Sequence, residues 1–558
     1  MTQKEIFSIR QKIAYFSMEV ALSNGIHTYS GGLGVLAGDT IRSSADLRLP
    51  FVGVSLISKK GYFRQELAAN GSQTEHEDPW NLSNFMQLLP VKVKVPIESR
   101  DVHVRAWLYN VVSQTGGVVP VYFLDTDVEE NTAEDREITS FLYGGDNKYR
   151  LKQEIVLGIG GVRMLKELGI DVRKYHMNEG HSSFLAFELL KKFERNIEKV
   201  RNSCIFTTHT PVEAGHDKFS YDLVQEVLGE DAPLDLLKNL GGHDRLNMTR
   251  LALNLSDYIN GVAKKHQESS REMFPGYEIH AITNGIHSYT WTCESFRRLY
   301  DKYLPGWAND PNLLVRVDVI PREEVWQAHR EAKKLLIDYV NTSTNIGMDY
   351  DTLTLGFARR ATEYKRANLL FSDLEKLKKI SRKGKIQIIL AGKAHPRDYS
   401  GKKLIEQLFS YAKQLKDDIK IVYLENYDLD VASMLVTGVD VWLNTPLPPQ
   451  EASGTSGMKA AHNGVINFSV LDGWWIEGWI EDITGWAIGP HPDEQVSFEE
   501  RNIRELDDLY SKLEYIIMPL FYNKRDKWIR TMKNSIGKIA YYFNSHRMMR
   551  RYVTEAYL

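Results

Sequence analysis

Glu451-Ala452-Ser453-Gly454-Thr455-Ser456-Gly457-Met458-Lys459 is the stretch on which the reading of this chain turns. Small residues lead directly into one lysine. A strand-like segment, Val439-Asp440-Val441-Trp442-Leu443-Asn444, and a proline turn from Pro446 to Pro449 precede it. Lys459 to Asn463 reads as a helix start. Such a loop bares backbone N–H groups and seats a phosphate. A lysine one turn further on supplies a point charge or a Schiff base. Two readings stand at this point. One is the anchoring of a phosphorylated cofactor. The other is a glycine-rich strand-to-helix turn whose lysine is solvated.

The flanking sequence alternates strand and helix patterns. Strand candidates in the first half are Ile13–Ser17, Val102–Val111, Val118–Leu124, Tyr175–Asn178, Cys204–His209 and Ile279–Thr283. Asn147–Leu168 and Ser182–Phe193 carry helical apolar faces between them. In the second half, Leu353–Phe357, Ile386–Leu390, Ile419–Leu424, Val439–Leu443 and Val465–Val470 read as buried parallel strands. The pattern predicts an α/β protein of two doubly wound domains with a cleft between them. The expected domains are residues 1–290 and 291–558, with a hinge after Thr283-Asn284-Gly285. The stretch to about Asp318 reads as irregular, and Arg322–Val340 as strongly helical. The last helical segments, Glu500–Leu558, are candidates to cross back onto the first domain.

Composition narrows the class. The chain has 558 residues, 43% hydrophobic and 26% charged, which fits a globular protein of several domains. A net charge of −3 gives no electrostatic case for nucleic acid or an anionic membrane. The N-terminus lacks the apolar run of a signal peptide, and no stretch of about 18 apolar residues offers a spanning helix. Two cysteines, Cys204 and Cys293, are too few for a disulfide framework and fit a reducing cytoplasm. The 16 histidines show no metal-ligand spacing, so no metal is expected.

Three further segments carry chemistry. Ser30-Gly31-Gly32-Leu33-Gly34 follows a strand and opens a helix, allowing close backbone approach to an anion. It lacks dinucleotide-fingerprint spacing. Arg359-Arg360-Ala361-Thr362-Glu363-Tyr364-Lys365-Arg366 places four cations just past the carboxyl end of a strand, where open α/β sheets bind ligands. Cations at a helix start oppose the macrodipole, which favours a local anion over a solvated basic turn. Cys204-Ile205-Phe206-Thr207-Thr208-His209 runs from a buried-looking strand to a histidine, structural or functional. Trp474, Trp475 and Trp479 suit sugar stacking or core packing.

Taken together, these segments resemble the α-glucan phosphorylases, the glycogen, starch and maltodextrin enzymes, in their short prokaryotic form. The likeness runs in order through Ser30–Gly34, Asn260-Gly261-Val262-Ala263, Thr283-Asn284-Gly285-Ile286, Glu363-Tyr364-Lys365-Arg366, Leu424-Glu425-Asn426-Tyr427 and the opening motif. The resemblance implies two Rossmann-like domains facing across a cleft, the GT-B fold. It implies reversible phosphorolysis of an α-1,4-glucan to α-glucose 1-phosphate, with retention. It further implies pyridoxal 5′-phosphate as a Schiff base on Lys459, its phosphate assisting proton transfer to orthophosphate. By the same resemblance Arg360, Lys365 and the Gly32 N–H hold the substrate phosphate. Arg359 and the backbone of Thr455 and Ser456 clamp the cofactor phosphate, with Tyr427 beside the cofactor. Glu19, His209, Asn284, Tyr364, Glu451, Ser453 and Gly454 hold the reacting glucose. Two departures stand inside the motifs. The larger enzymes have Gly-Asn at Ser456-Gly457 and Ala-Asn at Trp474-Trp475. Members are usually dimers, and nothing in the sequence identifies an interface. The alternative within this fold is a nucleotide-sugar-dependent glucan synthase, which commonly has two glutamates eight positions apart; here the second position is Lys459.

Overall fold

A computed structural model describes residues 11–229 and 232–558. The chain divides into two compact units. The first comprises Met1–Phe63, Glu77–Thr283 and Met548–Leu558; the second comprises Arg64–His76 and Asn284–Arg547. The division falls between Thr283 and Asn284.

The early strands are β1 (Lys12–Ser17), β2 (Phe51–Leu56), β3 (Arg64–Leu67), β4 (Gln73–His76), β5 (Gln87–Ile97), β6 (Arg100–Val112) and β7 (Val118–Asp125). There follow β8 (Val172–Asn178), β9 (Cys204–Thr207), β10 (Lys218–Phe219), β11 (Leu246–Asn247), β12 (Tyr258–Gly261) and β13 (His280–Ala281). The first unit's nine-stranded sheet runs β13-β12-β9-β8-β1-β2-β7-β6-β5. It is parallel from β13 to β7; β5 and β6 add an antiparallel edge. Strand β1 shows why both faces are apolar. Ala14 and Phe16 enter one core with Val54, Leu124 and Ile155. Ile13 and Tyr15 enter another with Phe51, Val121, Tyr552 and Tyr557. Alternation sends neighbours to opposite faces, and both faces are covered. Asn147–Ile155 and Gly161–Glu167 are joined by a π turn, Val156–Gly160, into the expected long helical run.

The second unit's strands are β14 (Leu353–Ala358), β15 (Ile386–Ala391), β16 (Lys420–Leu424), β17 (Val441–Asn444), β18 (Ile466–Val470) and β19 (Gly485–Ile488). They form one parallel sheet in the order β16-β15-β14-β17-β18-β19. This is the doubly wound order whose direction reverses between its first and fourth strands. Every residue of β14 is buried. A buried brace holds its amino end: Asp440 accepts hydrogen bonds from Lys333 at 2.5 Å and the Thr354 N–H at 2.8 Å, and pairs with His329 at 2.9 Å. Breaking such a buried pair from one side costs about 3–5 kcal/mol.

The structure corrects one expectation here. The stretch to Asp318 is not irregular. It holds helices Ser288–Trp291 and Glu294–Tyr303 and a 3-10 segment Pro311–Val319. Glu294–Tyr303 buries Phe296, Leu299 and Tyr300 at helical spacing. Among the described residues, no helix is long and apolar enough to cross a membrane.

Candidate functional site

In the second unit the sheet reverses direction between β14 and β17, where open α/β sheets bind ligands. Arg359 directly follows Ala358 at the carboxyl end of β14. Its guanidinium donates to Asn444 Oδ1, at the end of β17, and to Glu451 Oε2 at 2.7 Å. Lys365 Nζ donates to the same Glu451 oxygen at 2.6 Å and lies 4.4 Å from the Tyr364 ring centroid. Two cations thus converge on one carboxylate oxygen. An arginine offers five N–H donors and a lysine three, so these bonds leave capacity for a further anion. The Thr362 hydroxyl, in the same loop, is buried without a partner among the described residues. Arg360 is exposed. Arg366 does different work: it binds the carbonyls of Thr445 and Pro446 and pairs with Glu505 at 2.6 Å.

The cation cluster is not a helix start. Glu363–Lys365 is a single 3-10 turn, so the macrodipole argument for an anion does not apply. The convergence of Arg359 and Lys365 on Glu451 replaces it.

The loop from Glu451 to Thr455 is fixed by the segment Asp472–Trp474. Asp472 Oδ2 accepts the Glu451 N–H at 2.9 Å, and the Trp474 N–H donates to Ser453 O at 2.9 Å. Gly454 sits at φ +76°, a conformation that favours glycine. The helix begins at Ser456, three residues earlier than the sequence suggests, and runs to His462 with Lys459 buried inside it. Lys459 Nζ lies 3.8 Å from the Trp291 ring centroid. His462 pairs with Ser288 at 2.9 Å, and Asn463 binds the carbonyls of Trp291 and Lys459. These bonds tie the lysine helix to Ser288–Trp291.

The two departures from the family pattern explain each other. A Cβ on Gly457 would come within 2.7 Å of the Trp474 ring and 2.3 Å of Asn467. The indole at 474 fills the space that an asparagine at 457 would need. Trp474 itself is buried edge-on against Trp475 and Phe543, a packing role rather than an exposed stacking face.

Electrostatics sharpen the cluster. Burial alone raises the Glu451 carboxyl, but the Arg359 and Lys365 charges outweigh it and hold it at about 2. Burial, with the Glu451 charge nearby, pushes Asp472 up to about 7. One carboxylate is thus fixed as an anion and its neighbour titrates near neutrality, the divergence typical of functional sites. Burial raises the Tyr427 hydroxyl, partly offset by the Arg359 charge.

The first unit has its own reversal, between β1 and β8. Glu19 and Glu179 lie just beyond the carboxyl ends of these strands. Glu19 is buried; its carboxylate accepts the N–H groups of Ser30 at 2.5 Å and Gly31 at 3.1 Å, and the Tyr143 hydroxyl at 3.0 Å. It therefore fixes the glycine loop. Gly32, next in that loop, begins the helix Gly32–Asp46; it is exposed, with open space around the position of a Cβ. Glu179 has φ +72°, a strained conformation for a non-glycine residue. Its carboxylate accepts from the His209 N–H at 2.7 Å, Thr210 Oγ1 at 3.0 Å and the Gly180 N–H at 3.0 Å. His209 Nε2 pairs with Asn178 Oδ1 at 2.6 Å, which assigns the proton to Nε2. Burial lowers His209 to about 3, so the ring is neutral at pH 7. Asn284, which opens the longer segment of the second unit, is buried, and its Oδ1 has no partner among the described residues.

Thus Arg359, Lys365 and Glu451 meet in one cluster, while Ser453 and Gly454 lie in the loop that Asp472–Trp474 holds. Sequence reasoning missed Asp472, Thr362, Asn444 and Trp291. No motif in the sequence marks Asp472, and Trp291 lies in the stretch whose sequence reads as irregular.

Comparison with known proteins decides the family. A family model for carbohydrate phosphorylase matches residues 217–485. The chain is 41% identical to the maltodextrin phosphorylase of Thermococcus litoralis, over 98% of this chain and 70% of that protein. The chain belongs to the carbohydrate phosphorylase family. It is also 38% identical to the glycogen phosphorylase of Aquifex aeolicus, over 98% of this chain and 86% of that one. An uncharacterized protein of Methanocaldococcus jannaschii is 33% identical, over 98% of this chain and 99% of its own length. Membership in the carbohydrate phosphorylases makes the chain a glycosyltransferase by class, with the two parallel-sheet units of that fold.

Proposed function

We propose that this phosphorylase catalyses reversible phosphorolysis of α-1,4-glucans to α-glucose 1-phosphate, with pyridoxal 5′-phosphate held on Lys459. The observation that carries the reading is the convergence of Arg359 and Lys365 on one oxygen of Glu451, the residue that opens the loop to buried Lys459. The residues fit the cofactor: a buried amine on an aromatic face suits a carbonyl on a flat ring, and Arg359 with Thr455 and Ser456 suits a phosphate. When bound, the cofactor supplies a phosphate that exchanges a proton with orthophosphate.

The chain's own residues do the rest. Arg360 and Lys365 hold orthophosphate. Concentrated positive charge lets two phosphates share a site and keeps a proton available near neutral pH. Orthophosphate oxygen bonds to C1 as the C1–O4 bond breaks, and the proton passes to the leaving oxygen. Glu451 stays ionised and orients Lys365. Neutral His209 in the first unit and the Asn284 side-chain Oδ1 in the second each offer a contact to a sugar hydroxyl, worth on the order of 1 kcal/mol. Glu19 holds the glycine loop in shape and Tyr364 backs Lys365. We assign the glucan contacts chiefly to the first unit and the cofactor to the second, in a cytoplasmic homodimer.

Borohydride reduction followed by peptide mapping tests this. The cofactor should be fixed on Lys459 while phosphorolysis largely survives. Loss of all activity after verified fixation, or glucan labelling from UDP- or ADP-glucose without phosphate, would overturn it.

A further inference from the structure

The hairpin β3–β4 is drawn from the early chain, between segments of the first unit, yet belongs to the second. Its inward side chains are two buried glutamines, an unusual core for so short a hairpin. Each is spent on backbone. Gln65 Nε2 donates to Gly392 O at 2.9 Å, and the Asn426 N–H donates to Gln65 Oε1 at 2.9 Å. In return the Gln65 N–H donates to Asn426 Oδ1 at 3.2 Å. Gln73 Nε2 donates to Ala394 O at 2.9 Å, and the Ala394 N–H donates to Gln73 Oε1 at 3.0 Å. The two glutamines also bond each other at 2.8 Å.

The loops so held are those that frame the proposed cofactor residues. Gly392 is pressed against Arg359: a Cβ on it would lie 1.9 Å from Arg359 O, and its φ of +149° lies where side chains are rare. The Arg359 N–H donates to Ala391 O and the Ala361 N–H to Lys393 O. Asn426, at φ +53°, immediately precedes Tyr427. Leu67 N–H also donates to Glu425 Oε2 at 3.1 Å.

We propose that Gln65 is a positioning residue for the cofactor site, locking the Gly392 turn behind Arg359 and the Asn426 turn before Tyr427 through one side-chain amide. The proposal rests on the reading that Lys459 carries pyridoxal phosphate. Gln65 acts through backbone and is expected to touch neither cofactor nor substrate.

The test is the rate at which holoenzyme releases pyridoxal phosphate, followed by cofactor absorbance or fluorescence, in wild type, Gln65→Ala, Gln65→Glu and Glu66→Gln. Gln65→Ala and Gln65→Glu should each speed release about ten- to a hundredfold. Glu66→Gln, altering an exposed hairpin side chain bonded to His76, should release at the wild-type rate. The apoprotein's unfolding temperature separates positioning from mere scaffolding. If both Gln65 variants unfold earlier but release cofactor at the wild-type rate, or if Glu66→Gln matches them, the proposal is wrong. Should Gln65→Ala not fold, the isosteric Gln65→Glu decides alone. Wild-type protein that binds no pyridoxal phosphate would instead sink the reading on which the proposal rests.

Discussion

Glu451→Gln is the perturbation whose cost the structure defines most sharply. The carboxyl sits at about 2 against an ordinary 4.5, despite burial that opposes ionisation. A displacement of roughly 2.5 pH units, at 1.36 kcal/mol each, gives about 3 kcal/mol of net favourable interaction with Arg359 and Lys365. The sign follows from linkage. The folded carboxylate binds its proton more weakly than the unfolded one, so this stability is present above about 4.5 and is lost as pH falls toward 2. At pH 7, Glu451→Gln should therefore destabilise the apoprotein by about 3 kcal/mol, since it leaves two buried cations uncompensated. For a unit of this size that corresponds to a fall of roughly 5–10 °C in unfolding temperature. Anions should reverse much of it. Orthophosphate binding to the uncompensated cations stabilises by RT ln(1 + [L]/Kd), about 2.7 kcal/mol at a hundredfold excess over Kd. The assay is thermal unfolding of apo wild type and variant across a phosphate titration at constant ionic strength. A variant as stable as wild type, or one that phosphate stabilises no more than wild type, would refute the reasoning.

Other outcomes follow from the same geometry. Arg360→Ala should raise KM for phosphate at least tenfold more than KM for glucan; equal changes in steady-state assays would remove its assigned role. Asp472 is raised to about 7 from 3.8, so its folded form holds a proton the unfolded form has lost, and stability falls as pH rises across that interval. Asp472→Asn should therefore gain up to about 4 kcal/mol relative to wild type between pH 4 and 8, on top of a constant loss of one acceptor, read by denaturant titration at each pH. His209→Gln should lower kcat/KM by about ten- to a hundredfold without moving the pH profile between 6 and 8, since the ring is already neutral there.

Much of the second unit is legible in sequence because its strands are continuous apolar runs buried on both faces, as β14 and β18 are. Strand Gln87–Ile97 escapes although Val91-Lys92-Val93-Lys94-Val95 alternates as an edge strand does, because Pro90 and Pro96 break the run. Lys459 and the cation segment stand out by residue type. Asp472 does not, because its role depends on a backbone N–H contributed from Glu451, far away in sequence. Gln65 is likewise silent: its partners lie near residues 392 and 426, and only the fold brings them together. The pairing of Gly457 with Trp474 shows the same limit, since two departures that look independent along the chain share one volume.

The central claim is phosphorolysis itself. Maltoheptaose and orthophosphate incubated with the pyridoxal phosphate-loaded protein, and followed by phosphorus NMR, should yield α-glucose 1-phosphate and a glucan one residue shorter. Absence of any sugar phosphate from cofactor-loaded protein, or formation of the β-anomer, would contradict the account.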